Sequence, residues 1–118
     1  MRDGAVGKCY NDLIFDQTNG ARNMGSVLRL VLDTLKPHKP SIIELSQAIS
    51  DLPGVDSVNI SIYEIDRKVE NAKITVEGPD IRFTALEELL REMGVAVHSI
   101  DEAVAGKTII DDASTLQD

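Results

Sequence analysis

The chain has 118 residues, 42% of them hydrophobic but only 3% aromatic, with a formal net charge of −8 and a single cysteine. That length supports one domain with an aliphatic core. The acidic balance and scarce aromatics argue against nucleic acid, which needs clustered Lys and Arg and stacking platforms, and against an anionic membrane surface. Cys9 alone can form neither an internal disulfide nor a CxxC site. No apolar run approaches the ~20 residues of a bilayer span, and no apolar leader opens the chain, so a cytoplasmic location is expected.

Residues 1–23 show no sustained periodicity and contain three glycines and three asparagines. Segment 1–26 is therefore expected to be a disordered extension, or translation upstream of a natural start at Met24. The competing reading is an arm that docks its one apolar cluster, LIF at 13–15, on a neighbouring subunit. Segment 27–34, VLRLVLDT, alternates as a strand, with Leu28, Leu30 and Leu32 on one face and Arg29, Val31 and Asp33 on the other. The prolines of KPHKP, at 37 and 40, are expected to stop it. Ser41 followed by Glu44 is a capping box, and Ile42, Leu45, Ala48 or Ile49, and Leu52 recur at helical spacing until Pro53-Gly54 ends the helix.

Segment 58–77, VNISIYEIDRKVENAKITVE, reads as a hairpin. Val58, Ile60 and Ile62 share one face of its first strand, and Ala72, Ile74 and Val76 one face of its second. Gly78-Pro79 closes it, and Asp80 is a plausible N-cap for a second helix buried through Phe83, Leu86, Leu89 or Leu90, and Met93. Gly94 supplies a left-handed stop. The last strand is 95–107, VAVHSIDEAVAGK, and an acidic tail, 111–118, is expected to fray beyond Ile110.

The order strand, helix, strand, strand, helix, strand has two halves that echo each other, each with a Gly-Val step after its helix, at 54–55 and 94–95. This predicts an α+β, ferredoxin-like βαββαβ domain over 27–110, with both helices on one face of a four-stranded antiparallel sheet and its first and third strands central. The other face is left open. Arg29, Val31, Asp33, Asn59, Ser61, Tyr63, Lys73, Thr75, His98 and Ile100 are expected there, a mixture suited to a second subunit or a ligand.

Three stretches together, LDTLKPHKPSIIEL, NISIYEID with ENAKITVEG, and VHSIDEAVAGK, resemble DUF211, a family of small archaeal proteins grouped as a domain of unknown function. The likeness covers about 27–110. It implies a ferredoxin-like fold, ring-forming homo-oligomers and an association with calcium, and it implies no reaction. Residues 1–23 depart from the pattern.

Two acidic clusters are candidate cation sites, since calcium takes oxygen ligands in flexible geometry. Glu64, Asp66 and Glu70 surround the hairpin tip, where Arg67 and Lys68 intervene and no DxDxDG loop is present; read blandly, this is a solvated turn. Asp101 and Glu102 lie in VHSIDEA with His98. A regular strand would point Asp101 away from His98 and Glu102, and only a bulge after Ile100 would bring them together. The bland reading there has His98 bonded to Asp33 and both carboxylates in water. Lys36, His38 and Lys39 form a basic patch before the first helix that suits a small anionic ligand held by Lys36, His38 and Ser41 between subunits, in the manner of an amino-acid-sensing regulatory module, unless the prolines simply make it a rigid connection.

Other ferredoxin-like activities fail for lack of parts. There is no CxxC after the first strand for a metal chaperone, no exposed aromatic set for RNA, and no Gly-rich anion cradle with arginine for acyl phosphate. No nucleophile and base stand at a recognisable spacing. His98 and Asp33 remain the one pair that could act as a base and its orienter. The reading is a non-enzymatic homo-oligomer whose edge strands pair between copies. Tyr63, Ile65, His98, Ile100 and Val104 are expected near subunit contacts.

Overall fold

The computed structural model describes residues 24–113, so the expectations for residues 1–23, for Cys9 and for 114–118 lie outside the described residues. The elements are β1 (Val27–Pro37), α1 (Ile42–Ser50), β2 (Ser57–Ile65), β3 (Val69–Glu77), α2 (Phe83–Glu92) and β4 (Ala96–Ala105). They form one sheet of four strands in the order β2-β3-β1-β4, every pair antiparallel. This is the βαββαβ ferredoxin-like arrangement, with β1 and β3 central as the two crossovers require.

The core follows from the alternation. Leu30 and Leu32 of β1 and Ile74 and Val76 of β3 meet Leu45 and Ile49 of α1, Leu86 and Leu90 of α2, and Ile81 and Val95 from the connections. Val58 and Ile60 of β2 and Val97 of β4 close its sides. The helix stripes are narrow because each short helix lies on a single layer; only two residues of each are fully buried.

The helix termini divide. At α1 the capping box is present in both directions: the Glu44 amide donates to Ser41 Oγ at 3.2 Å, and the Ser41 amide donates to Glu44 Oε1 at 3.0 Å. At α2 the expected cap is wrong. Arg82 occupies the cap position without a side-chain bond. The Asp80 carboxylate accepts instead from Arg82 Nε at 3.2 Å and Nη2 at 3.1 Å, so it never reaches the helix amides.

β1 also runs three residues past its expected end, to Pro37. Pairing with β4 ends at Leu35 opposite Ala96, whereas pairing with β3 continues to Pro37 opposite Val69. By Pro37 the strand has one neighbour, so the missing donor can face the side with no ladder.

Three outer-strand residues break the alternation. Tyr63 is an extra residue in β2, between Ile62 opposite Ala72 and Glu64 opposite Asn71. His98 and Asp101 are extra residues in β4, flanking Ser99 opposite Asp33 and Ile100 opposite Leu32. Ile100 therefore faces a core residue of β1 across the ladder, and the expected placement of Ile100 beside Val31 and Asp33 is corrected.

The two crossovers approach each other closely through their main chains. Gly54 has φ +84°, and a Cβ on it would stand 2.0 Å from the Asp80 carbonyl oxygen; one on Gly78 would stand 2.1 Å from the Gly54 carbonyl oxygen. Asp80 N–H donates to Gly54 O at 3.3 Å and Asp56 N–H to Glu77 O at 2.8 Å across this contact. Gly54→Ala should cost about 2 kcal/mol from the left-handed backbone alone, lowering Tm by roughly 10 °C. Gly25→Ala, whose nearest new contact is an ordinary 3.4 Å, should leave Tm nearly unchanged. Thermal denaturation of the two variants checks the pair.

Candidate functional site

The two clusters read separately from the sequence, the acidic hairpin tip and the basic first loop, are one structure. Register brings them together: Lys36 stands opposite Glu70 in the β1–β3 ladder, and Pro37 opposite Val69. Lys36 occupies an inward-facing position of β1 and is fully buried, with 0% of its surface exposed. Its ammonium has three protons and three close acceptors: Pro40 O at 2.6 Å, Pro37 O at 2.7 Å and Glu70 Oε1 at 2.9 Å, with His38 O farther at 3.5 Å. A loop with two prolines is short of N–H donors, so its carbonyls turn inward and the ammonium satisfies them.

Glu70 accepts on its other oxygen from His38 Nδ1 at 2.9 Å, and His38 Nε2 donates to the Arg67 carbonyl at 2.8 Å. The His38 and Lys36 bonds hold the Glu70 carboxyl below its ordinary value, and the Glu70 bond, then the Arg67 carbonyl, raises His38. Asp66 is engaged elsewhere. Its Oδ1 accepts from the amides of Lys68 at 2.9 Å and Val69 at 3.1 Å, closing the turn and lowering its own pKa.

Both expectations at this end of the fold are thus corrected. Glu64, Asp66 and Glu70 do not converge: Asp66 turns into its own turn, Glu70 into Lys36 and His38, and Glu64 stays exposed opposite Asn71. Lys36, His38 and Ser41 present no anion cradle, since the ammonium is neutralised and the Ser41 hydroxyl caps α1.

On the open face the structure assembles a different group. The extra residue in β4 after Ile100 puts both Asp101 and Glu102 on one groove with Arg29, Glu77, Val104 and Asp111. Ser99 Oγ donates to Asp101 at 2.7 Å. Arg29 Nε donates to Glu77 at 2.8 Å, and its Nη1 donates to Asp111 at 2.8 Å and lies 3.7 Å from Glu102. These bonds, Asp111 first, push the guanidinium pKa further up. Residues 111–113 consequently return to the sheet, and the expectation that the chain frays after Ile110 is corrected over that stretch.

His98 is exposed on β4 and does not pair with Asp33, which accepts the Tyr63 hydroxyl; that bond is the main cause of the raised Tyr63 pKa. The base-and-orienter pair is therefore not formed. Tyr63, Ile65 and Ile100 are 57%, 65% and 51% exposed, whereas Val104 is 5% exposed and lies within the chain's own groove, unavailable as a subunit contact. Among the described residues no group of three or more His, Cys, Asp or Glu is placed to hold a metal ion.

Residues 28–118 match the family described as Uncharacterized ArCR, DUF211. The chain belongs to DUF211. It is similar to the uncharacterized protein MJ0319 of Methanocaldococcus jannaschii, 45% identical over 95 residues, which span 80% of this chain and 98% of that protein. Neither description names an enzymatic activity. Among the described residues no helix is long and apolar enough to cross a membrane.

Lys36 was missed as a structural centre because lysines are almost never fully buried unless paired, and its pairing needed the β1–β3 register. Lys36→Met should destabilise the fold by about 3 kcal/mol, because the methionine fits the space but strands Glu70 and the Pro37 and Pro40 carbonyls. Urea denaturation, with an unchanged slope and a lower midpoint, is the measurement.

Proposed function

We propose that this protein is a non-enzymatic module that assembles head to tail with copies of itself and holds a divalent cation, calcium, where two copies meet. The observation that carries the reading is that, of the exposed large apolar side chains among the described residues, Tyr63 and Ile65 lie on β2 and Ile100 on β4, the two outer strands, the others being Ile43 on α1 and Met24, Ile109 and Ile110 outside the helices and strands. Among the described residues each outer strand leaves one row of backbone groups without a ladder partner. Because the two edges are on opposite sides of the sheet and differ, their association is heterologous, and a heterologous contact that closes makes a ring.

The cation follows from the charges at the same edges. Glu64 on β2 and Asp101 and Glu102 on β4 are each too few within one chain, and juxtaposed across a subunit junction they would supply three carboxylates, Asp101 exchanging its single Ser99 bond and Glu102 its long contact with Arg29 for the cation. Without a cation they would repel; with one, hard oxygen ligands suit calcium. Asp66 and Glu70 have no part in this set, being held by the turn and by Lys36.

Native mass spectrometry in calcium should give a closed multimer that becomes lighter, and then dissociates, on chelation. Ile100→Glu should reduce it to monomer even with calcium present. Glu64→Gln should weaken calcium binding at least tenfold by calorimetry while leaving Tm in chelator unchanged. A metal-free monomer under all conditions would overturn the reading.

A further inference from the structure

We propose that His38 is a proton-operated latch, joining the loop between β1 and α1 to the tip of the β2–β3 hairpin when its imidazole is protonated and releasing one of those bonds when it is not. The geometry is the argument. Nδ1 lies 2.9 Å from Glu70 Oε2, and Nε2 lies 2.8 Å from the Arg67 carbonyl oxygen. An ionised carboxylate and a backbone carbonyl are acceptors only, so both ring nitrogens must carry protons for both bonds to exist. A neutral imidazole carries one, and must then face a lone pair to an oxygen at one of the two contacts.

Glu70 is available as an anion because the Lys36 ammonium fixes its other oxygen at 2.9 Å. The charged and titratable groups around the ring are few. From β3 Glu70 faces it; from the turn Arg67 meets it through its carbonyl and Asp66 lies within its field; from β1 Lys36 opposes its charge. The attraction of Glu70 outweighs the repulsion of Lys36, because the first is a direct hydrogen bond and the second acts at longer range. The ring is 46% exposed, so protons reach it freely, while its partner Glu70 is held at 13% exposure.

The sign is fixed by these neighbours. His38 is raised above its ordinary 6.5, so its contribution is fully present below that value and is lost as pH rises through the folded-state value. Glu70 is lowered below its ordinary 4.5, so its share is present above that value and is lost only as pH falls through the depressed one. The latch is closed between the two and opens on the alkaline side. The segment it restrains, 66–70, directly follows Glu64 and Ile65, so opening would also loosen the assembly surface; that consequence alone rests on the function proposed above.

The test is an NMR titration of the whole protein in chelator, reading the His38 ring nitrogens and the amide protection of Lys68 and Val69 corrected for intrinsic exchange. The expected result is a His38 midpoint above the ordinary value, both ring nitrogens protonated below it, and a loss of protection at Lys68 and Val69 as pH passes it. Glu70→Gln should move the midpoint down, and His38→Gln should abolish the pH dependence of protection. A His38 that titrates at or below 6.5, or protection with the same pH profile in wild type and His38→Gln, overturns the latch. These readouts need no oligomer, so failure of the assembly reading appears separately, as a mass that does not change with calcium.

Discussion

A buried ammonium fixes one end of this fold. Lys36 projects from β1 toward the helix layer, where a lysine is unfavourable unless its charge and all three protons are met. Glu70 meets the charge, and two carbonyls of the proline loop meet the remaining protons. Through those bonds one side chain sets three things: the register of β1 against β3, the path of the loop into the cap of α1, and the orientation of the Glu70 carboxylate toward His38. Removing the charge would leave those acceptors facing one another around a buried position.

At the other end of the sheet the constraint is opposite in kind. Arg29 is on the open face and gathers Glu77, Glu102 and Asp111 from β3, β4 and the chain's return. Each of these contacts is partly solvated and individually weak. Together they draw residues 111–113 over Val31 and Val104 and narrow the face that a second molecule could use. Tyr63, Ile65 and Ile100 stay exposed on the outer strands, which is where the proposed assembly would pair.

The fold was legible because its signals are local and repeated: alternation at β1 and in the hairpin, the Ser41–Glu44 box, and glycines at Gly54 and Gly94 that take positive φ. The site was legible only in its residue types. Nothing in the composition of VHSIDEA marks which residue is extra, so the grouping of Asp101 with Glu102 could be stated only as what a bulge would do. The pairing of Lys36 with Glu70 joins residues 34 apart, and the ladder that joins them is a tertiary fact. Asp80 looked like a cap because aspartate before a helix usually is one; Arg82, two residues on, competed for the same carboxylate and won.

The irregular outer strands also bear on a hazard that every open sheet carries. A fibril grows when an exposed strand offers six or seven residues of uninterrupted template to an identical segment. On β4 the regular pairing is cut into residues 96–97, 99–100 and 102–104, none long enough to seed such growth. On β2 it runs over six residues, 57 to 62, the shortest such template, and Tyr63 breaks step before it can lengthen. The same extra residues that regroup the carboxylates therefore ration how far any added strand can zip, favouring short, finite contacts over endless stacking.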